Sequence, residues 1–377
     1  METVYLDNSS TTKPCETSIE FTVDALKNYW GNPSSLHLLG IEAEEKLTDT
    51  RKAVSSVLRV RPDEIFFTGS GTEANNTAIF GAAYRGAKRS KRIVTTQIEH
   101  SSVLQSVKRL EAEGFEVIKL KPDESGKIRE EDIKAAITPD TILVSIMLVN
   151  NETGAIQNIK TAAETIKKTS SIALLHCDAV QAFGKMPVLP QKLGVDLLTA
   201  SAHKIHGPKG VGILYIKKGI HINPLILGGG QEVGMRSGTE AVPLIYGMCG
   251  AIKSLPNTET QLAFQKELWD YAKQKLLSTG LIKINSPDDC LPYIINISVL
   301  GYRSETLLHF LESEGIYVSS GSACSKGEGS YVLTAQGLDR KRVDSALRIS
   351  FSRYSKKQDV DRLCEALIRA SERLRKA

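Results

Sequence analysis

The sequence predicts an α/β fold with a mostly parallel central sheet in a large domain, followed by a smaller α+β domain. Apolar strand-like runs alternate with amphipathic helical stretches from about residue 64 to 255. After Pro256 the candidate strands become shorter and the helices longer. The 377 residues are 41% hydrophobic, which is enough to fill a sizeable core. We expect a large domain over 15–255 and a small domain made of 1–14 and 256–377, with the N-terminal strand returning to it.

The candidate elements follow from local patterns. The strand candidates of the large domain are EIFFT, RIVTT, TILVSIMLV, IALLHCDAV, VDLLTAS and VGILYI, and helices are predicted over 72–86 and 101–113. In the second part, a helix over 261–278 ends at Gly280, and INISV and SALRISFS are short strand candidates. The last helix is predicted to begin at Ser355 with Gln358 completing a capping box. Its inner face is Val360, Leu363, Cys364, Leu367 and Leu374.

Composition and charge exclude several classes of protein. The net charge of +5, from 48 basic and 43 acidic residues, is too small an excess to indicate tight nucleic-acid binding. The most apolar stretch, 142–149, is too short to span a bilayer, and no secretory signal is expected at the start. Six cysteines, at positions 15, 177, 249, 290, 324 and 364, have no paired spacing, so reduced thiols and a cytoplasmic location are expected.

The first segment that carries chemistry is FFTGSGTEANN, residues 66–76. A strand runs into Gly69 and Gly71, and a helix follows from about Thr72. Free N–H groups at a helix N-terminus favour a phosphate there, although a plain tight turn explains the glycines equally well. A dinucleotide fingerprint is a third interpretation, but it needs an acidic residue after the next strand, and Glu99 comes late for that role.

The second segment is LLHCDAVQAFG, residues 174–184. Asp178 follows an apolar strand and should lie at its C-terminal end, where α/β folds place their sites. A carboxylate in so dry a place requires a cationic partner, such as a protonated pyridine nitrogen, or else acts as a helix cap. His176 and Cys177 are adjacent in a strand and face opposite sides of the sheet, so we interpret both as core residues and not as metal ligands.

The third segment is DLLTASAHKIHGPKGVGILY, residues 196–215. Lys204 lies in a loop after a strand, and a buried lysine beside a cation becomes a free amine that can form a Schiff base. Ser201 and His203 offer hydrogen-bonding groups that suit a phosphate. His203 and His206 also form an H-x-x-H pair, but no acidic or cysteine ligand lies nearby in the sequence, so no metal site is predicted.

The fourth segment, YVSSGSACSKGEGSYV, residues 317–332, places Cys324 among glycines, serines and charges. Such a composition predicts an exposed loop, in which a cysteine is accessible. A reactive thiol and an inert one remain equally open from these residues alone. Lys326 would favour the thiolate form, weakened by solvent.

Together these segments resemble the NifS/IscS-like cysteine desulfurase family of the class V aminotransferase superfamily. The resemblance runs over nearly the whole chain, from VYLDNSSTT to ALRISFSRYS, and includes WGNPSSLH, QIEHSSVL, VNNETGAIQ and GGGQEVGMRSGTEAV. It implies the pyridoxal-phosphate (PLP) fold type I, which is the aspartate-aminotransferase-like fold, and a homodimer.

The resemblance also implies roles for individual residues. Lys204 would carry PLP through a Schiff base, Asp178 would pair with the pyridine nitrogen, and His100 would stack on the ring and move protons. Arg348 would hold the substrate carboxylate, and Cys324 would be the nucleophile that receives sulfur from L-cysteine as a persulfide, leaving alanine. The remaining implied contacts are Gln181 with the ring hydroxyl, Gly71, Thr72, Ser201 and His203 with the phosphate, Thr239 from the neighbouring subunit, and Asn150 with the substrate.

Two departures from the family pattern bear on these expectations. Ser352 stands where the family commonly has glycine, which puts the local geometry in doubt. The chain stops at Ala377, without the longer tail that docks the iron–sulfur scaffold protein in housekeeping members. A role in supplying sulfur to a tRNA- or cofactor-thiolating enzyme is therefore as well supported as a role in general iron–sulfur cluster assembly.

Rival functions remain on the sequence alone. Within PLP chemistry they are a selenocysteine lyase, or a plain β-eliminating lyase, which would need no enzyme thiol. An NAD-dependent oxidoreductase rests on GSGTEA only, and a catalytically silent binding partner would require broken motifs that the sequence does not have.

Overall fold

The computed structural model describes residues 3–169, 171–320 and 329–376. The strands within these residues are β1 (Val4–Tyr5), β2 (Ile65–Thr68), β3 (Arg92–Thr96), β4 (Glu116–Leu120), β5 (Thr141–Ser145), β6 (Leu174–Asp178), β7 (Leu197–Ser201), β8 (Gly212–Ile216), β9 (Ile282–Ile284), β10 (Ile294–Val299), β11 (Ile316–Tyr317) and β12 (Ala346–Ser350).

The helices of the same residues surround three sheets. They are α1 (Glu16–Asn28), α2 (Leu38–Leu58), α3 (Gly71–Gly86), α4 (Ser101–Ala112), α5 (Glu130–Ala136), α6 (Ile159–Lys168), α7 (Pro190–Leu193), α8 (Val242–Lys253), α9 (Thr258–Ser278), α10 (Ser304–Ser313), α11 (Tyr331–Ala335), α12 (Arg340–Asp344) and α13 (Lys357–Arg373). Single 3₁₀ turns occur at Pro62–Glu64, Ala202–Lys204 and Glu232–Gly234.

The main sheet has the strand order β2-β8-β7-β6-β5-β3-β4. Strand β8 runs antiparallel to both of its neighbours, and the other pairs are parallel. The fold class predicted from the sequence is therefore confirmed. Because β2, β3, β5, β6 and β7 point the same way, the segments that follow them meet at one edge of the sheet.

Side chains on this sheet alternate between two apolar cores. In β3, Ile93 packs with helices α3 and α4 on one face, whereas Val94 packs with α2, α5, α6 and α8 on the other. Leu143 and Val144 of β5 divide in the same way. The sheet is thus covered on both faces, which explains why its inner strands are continuous apolar runs.

A third apolar core, the small core, lies around the antiparallel sheet β12-β10-β9. Helices α9, α10 and α13 cover it through residues such as Trp269, Leu311 and Leu367. Leu347 and Ile349 of β12 point into this core, so Arg348 between them points to the opposite side. This alternation directs the arginine away from the small core and toward the main sheet.

The N-terminal segment contacts both the small core and the turn after β7. Strand β1 pairs with β11, and the Leu6 carbonyl accepts a hydrogen bond from the Ser350 N–H at 2.7 Å. A few residues later, the Thr12 N–H donates to the His203 carbonyl at 2.9 Å. The N-terminal strand thus packs with the small core. The division of the chain into domains at residue 255 stays a prediction.

One predicted helix start is wrong. Helix α13 begins at Lys357, and the Asp359 carboxylate accepts a hydrogen bond from the Lys356 N–H at 2.8 Å. The Ser355 hydroxyl accepts instead from the Ser352 N–H at 2.9 Å, so it does not cap the helix with Gln358. An ionised carboxylate is the stronger acceptor, which places the cap one residue later than predicted.

The predicted end of α9 agrees with the structure, since Gly280 follows the helix with a φ of +72°.

Among the described residues, no helix combines the length and the apolar character that crossing a membrane requires.

Candidate active site

Lys204 lies at the carboxyl edge of the main sheet, in the turn after β7. Its Nζ donates hydrogen bonds to the carbonyls of Ser9 and Ser10, the latter at 2.7 Å. Burial lowers the pKa of Lys204 to about 7, and the positive charges of Lys185 and Arg348 act in the same direction. A free amine is therefore available near neutral pH, as a Schiff-base lysine requires.

The loop around Lys204 is held by the N-terminal segment. His206 has a left-handed φ of +67°, which costs energy for a residue other than glycine. Its N–H donates to the Thr12 hydroxyl at 2.8 Å, and its Nδ1 lies 2.8 Å from the Lys13 carbonyl oxygen. These contacts compensate the strained backbone two residues after the amine.

Asp178 ends strand β6 and is almost completely buried. Its carboxylate accepts hydrogen bonds from Asn75 Nδ2 at 2.7 Å and from the Val180 N–H at 3.0 Å. Within the described residues, no lysine, arginine or histidine nitrogen lies within 4 Å of it. A dry carboxylate with no countercharge fits the protonated ring nitrogen of PLP, and the bond to Val180 shows that it also caps the turn.

His100 is the N-cap of helix α4 and is half-buried. Its Nδ1 accepts from the Ser102 N–H at 3.2 Å and lies 2.8 Å from the Ser102 hydroxyl. Burial lowers the pKa of His100, an effect that Asp178 opposes and Lys204 reinforces. The imidazole is therefore neutral at pH 7 and can accept a proton.

The dinucleotide interpretation of residues 66–76 fails at Glu99. This side chain is fully buried, and burial raises its pKa to about 8. It accepts hydrogen bonds from the Thr96 hydroxyl at 2.7 Å and from the Met147 N–H at 3.0 Å. A protonated carboxyl group inside the protein cannot be the acidic partner of a ribose.

The residues predicted to bind phosphate gather at the start of α3. The Ser70 hydroxyl caps this helix by accepting from the Glu73 N–H, and the first N–H groups at Gly71 and Thr72 point out of the helix end. A Cβ on Gly71 would lie 3.0 Å from Val180 Cγ2 and 3.4 Å from Ser201 Cβ, so the segment after β6 and the end of β7 border the same helix end. The geometry is that of a cradle for an anion at a helix N-terminus.

Ser201 borders this cradle from the end of β7, and His203 follows in the turn after it. The Ser201 hydroxyl donates weakly to the Val211 carbonyl at 3.3 Å and retains its acceptor and rotational freedom. His203 Nδ1 lies 3.2 Å from the Thr11 hydroxyl. Burial and the charge of Lys204 lower the pKa of His203 to about 3, so this ring is neutral.

Arg348 reaches the same pocket from the small core. Its Nη2 donates to Asp7 Oδ1 at 2.8 Å and to the Ser10 hydroxyl at 2.6 Å, and Nη1 donates to the Asn151 carbonyl at 3.0 Å. Its Nε is buried with no hydrogen-bond partner among the described residues. A buried donor left open is what a substrate carboxylate would satisfy.

Asn150 has a different environment from the one predicted for it. Its Nδ2 donates to the Ile98 carbonyl, and its Oδ1 accepts from the N–H groups of Glu152 and Thr153. These bonds use the side chain to shape the turn, and its contact with substrate stays a prediction. The neighbouring Asn151 has a buried Oδ1 without a partner among the described residues, and the sequence analysis did not single it out.

The other predicted residues have mixed placements. Gln181 lies beside Lys204, and its Nε2 donates to the Ser9 carbonyl at 3.0 Å. Thr239 is exposed, and its role toward a neighbouring subunit stays a prediction. Cys324 lies outside the described residues.

Two further expectations are answered by the structure. His176 and Cys177 are completely buried core residues, as predicted. Ser352 has no positive φ, and its hydroxyl accepts from the Tyr354 N–H at 3.2 Å, so a side chain is accommodated where the family commonly has glycine. The described residues contain no group of three His, Cys, Asp or Glu side chains that could hold a metal ion.

Several residues of the site were missed by the sequence analysis. Asn75 donates to Asp178, Asp7 pairs with Arg348, and Lys185 is a second buried lysine in the cavity that Lys204 lines. The available signals were weak: a polar residue on the inner face of a predicted helix, and a lysine between apolar residues in AFGKMP. The long sequence separations, such as 341 residues between Asp7 and Arg348, hide these pairs from local patterns.

Comparisons with known proteins agree with this geometry. The family model for aminotransferase class V matches residues 4–363. A protein of Methanosarcina thermophila named cysteine desulfurase IscS is 39% identical over 377 residues, covering 99% of this chain and 93% of the relative. A NifS/IcsS protein homolog of Lactobacillus delbrueckii subsp. bulgaricus is 41% identical and covers 96% of both chains.

Solved structures give the same result. One described as a NifS-like protein superimposes with a TM-score of 0.94 at 38% identity, covering 99% of this chain and all of the other. Another, described as SspA in complex with cysteine, has a TM-score of 0.84 at 32% identity, with 94% of this chain and all of the other covered. The dry carboxylate, the amine of lowered pKa and these matches over the full length lead to one conclusion: the chain belongs to the NifS/IscS-like cysteine desulfurase family of class V aminotransferases, which are PLP-dependent enzymes.

Proposed function

We propose that this chain is a PLP-dependent cysteine desulfurase that moves sulfur from L-cysteine to Cys324 and then to an acceptor protein. The observation that carries the proposal is the position of Ser10. Its carbonyl accepts from the Lys204 amine, and its hydroxyl accepts from the Arg348 guanidinium. An amine for an aldehyde cofactor and a cation for a substrate carboxylate therefore face one pocket.

The residues around the pocket suit PLP on each side. Lys204 would bond the aldehyde, Asp178 would pair with the ring nitrogen, and Gln181 would contact the ring hydroxyl. The helix end at Gly71 and Thr72, with Ser201 and His203, would bind the phosphate. When bound, PLP withdraws electrons from the substrate amino acid, which acidifies its Cα–H and activates the Cβ–S bond.

The side chains then divide the work of the reaction. Arg348 orients the substrate through its carboxylate, and its open Nε adds a donor toward that group. The neutral amine of Lys204 takes the proton from Cα, and the neutral imidazole of His100 takes the proton of the substrate thiol or amine. The thiolate of Cys324 attacks the substrate sulfur, so that an S–S bond forms while the Cβ–S bond breaks and its electron pair stays with the carbon part of the substrate. Cβ then gains a proton, Cα regains the proton that Lys204 took, and alanine is released.

The test of the function is incubation of the purified protein with L-cysteine. We expect alanine to form, and the peptide containing residue 324 to become heavier by one sulfur atom in a form that a thiol reductant removes. Release of sulfide with pyruvate and without alanine would instead identify a β-eliminating lyase. Faster turnover of selenocysteine, with no sulfur on Cys324 after L-cysteine, would identify a selenocysteine lyase.

The acceptor of the persulfide is proposed by chemical class only. An iron–sulfur scaffold protein and a tRNA- or cofactor-thiolating enzyme both accept sulfur from such a persulfide. Transfer of ³⁵S from labelled L-cysteine through Cys324 to each purified acceptor distinguishes the two.

The substrate role of Arg348 predicts a specific kinetic effect. In Arg348→Lys the charge stays, but the planar fork that matches a carboxylate and the contacts to Asp7 and Ser10 are lost. We expect KM for L-cysteine to rise about tenfold to a hundredfold, which corresponds to loss of one charge-assisted pair. Steady-state alanine assays measure it, with the exposed Arg340→Lys as control. An unchanged KM would remove Arg348 from substrate binding.

We also propose that the chain forms a homodimer through an apolar stripe on α1. Ile19, Val23 and Leu26 recur at helical spacing on its outer side and are 40%, 40% and 60% exposed, and Trp30 just beyond the helix is 68% exposed. Such a stripe on one helix indicates a contact surface.

Light scattering is expected to give the mass of two chains for the wild type, and Leu26→Glu should shift the protein toward one chain. The control is Ile368→Glu, which changes a 42% exposed residue on α13. A monomeric wild type would contradict the dimer and, with it, the contribution of Thr239 from a neighbouring subunit.

A further inference from the structure

Lys185 is a buried lysine in the turn that follows β6. It is 7% exposed and lines the same small cavity as Lys204. The preceding residue, Gly184, has a φ of +71°, and a Cβ there would lie 2.8 Å from Ile205 Cγ2. Glycine at 184 thus allows the turn to press against the loop that carries Lys204, and this close approach brings Lys185 into the cavity.

A short chain of hydrogen bonds joins the two lysines. Lys185 Nζ donates to Gln181 Oε1 at 3.2 Å, and Gln181 Nε2 donates to the Ser9 carbonyl at 3.0 Å. The same carbonyl accepts from Lys204 Nζ. Lys185 therefore orients Gln181, and Gln181 in turn holds one of the two carbonyls against which the Lys204 amine lies.

Lys185 has no countercharge. Among the described residues, no carboxylate lies within 4 Å of its Nζ, and its nearest ring contact is Tyr293, with Nζ 5.6 Å from the ring centroid. The other charged or titratable groups that act around this cavity are mostly basic: Lys204, Arg348, His203, His206 and Arg353, with Asp7 and Asp178 acting on Lys204. Two buried amines thus share a region that is poor in negative charge.

We propose that Lys185 is a positioning residue for Lys204: through Gln181 it fixes the Ser9 carbonyl, and its positive charge opposes protonation of the Lys204 amine. This inference rests on the proposed function, because it takes Lys204 as the lysine that carries the cofactor. Lys185 itself touches neither substrate nor cofactor in this role.

The electrostatics agree with the geometry. Burial lowers the pKa of Lys204 to about 7, and Lys185 is the next largest cause, ahead of Arg348. Burial, followed by the charge of Arg348, lowers the pKa of Lys185 to about 7 as well. Because the two amines titrate in the same range, a proton on either one disfavours a proton on the other. Without Lys185, Lys204 alone takes the first proton, so its pKa must rise.

The test is a pH titration of the holoenzyme followed by the visible absorbance of the lysine-bound cofactor. This absorbance depends on the proton at the Lys204 nitrogen, and a purely structural role of Lys185 would not move its midpoint. In Lys185→Met and Lys185→Gln we expect the midpoint to rise by about one pH unit. Lys185→Arg keeps a positive charge at every pH, so its midpoint should stay at or below the wild-type value. The control Lys192→Met on the exposed surface should leave the midpoint unchanged.

The two neutral variants distinguish the effect of losing the charge at position 185 from an effect on folding. Gln at 185 can still hydrogen-bond to Gln181, so Lys185→Gln decides the matter if Lys185→Met does not fold. A wild-type midpoint in a folded Lys185→Gln would overturn the inference and leave the proposed function intact. Loss of the absorbance in a folded neutral variant would also overturn it, because Lys204 remains free to bond. A wild type without lysine-bound cofactor would overturn both.

Discussion

Replacement of Lys204 with alanine is expected to remove the visible absorbance of the bound cofactor and to lower alanine formation from L-cysteine by about a thousandfold or more. The reason is that this amine both bonds the aldehyde and takes the Cα proton. Its low pKa of about 7 follows from burial and from neighbouring positive charges, a combination that an exposed lysine does not have. Absorption spectra near ~420 nm and an alanine assay measure the two effects.

The matched control for Lys204→Ala is Lys192→Ala on the exposed end of α7, which should leave both measurements unchanged. Added methylamine can partly replace the missing amine as a proton acceptor, and partial recovery of the rate would support the role of Lys204 in proton transfer. A wild-type cofactor spectrum in Lys204→Ala would assign the cofactor to a different lysine, with Lys185 as the first to examine.

Replacement of Cys324 with alanine is expected to have the second large effect. The variant should bind the cofactor and L-cysteine as the wild type does, but it should accumulate no persulfide. Its rate of alanine formation should fall by about a hundredfold or more. The other five cysteines are all buried. Burial raises the pKa of Cys177, Cys249, Cys290 and Cys364, so these thiols are protonated and unreactive at neutral pH.

Spectra recorded on adding L-cysteine separate binding from sulfur transfer in this variant. The control is Cys249→Ala in helix α8, which should still form a persulfide on residue 324. Mass analysis of the corresponding peptide in both proteins makes the comparison direct. Sulfide release from Cys324→Ala at the wild-type rate would remove this thiol from the mechanism.

Local sequence patterns predicted the inner strands of the main sheet and its edge strand β2, but not the other edge strand, β4. Strands β5, β6 and β7 are buried on both faces, so each is a continuous apolar run that stands out. Strand β4, EVIKL, is short, contains two charged residues and has only one fully buried position, so it was not singled out. The start of α13 was predicted one residue too early, because only the three-dimensional structure shows that the Ser355 hydroxyl already accepts from the Ser352 N–H.

The site could be predicted where a functional residue follows a strand. Asp178 is the last residue of β6 and Lys204 lies in the turn after β7, and the topology of parallel strands brings such positions together. Asn75 and Lys185 could not be predicted in this way, because their roles depend on partners in other segments. Asn75 contacts Asp178 across 103 residues, and Lys185 acts on Lys204 through Gln181 and Ser9. Only the structure therefore shows which polar and charged side chains surround Asp178 and Lys204.

The contacts of the N-terminal segment have a consequence for biosynthesis. Asn8 donates hydrogen bonds to the Ser350 carbonyl across 342 residues of sequence, and the two carbonyls that hold Lys204 belong to Ser9 and Ser10. During translation, the N-terminal segment is synthesised first, but it can form these hydrogen bonds only after strand β12 has been synthesised near the end of the chain. A partly synthesised chain consequently has no finished pocket, and cofactor capture is deferred until the ribosome has released almost the whole polypeptide.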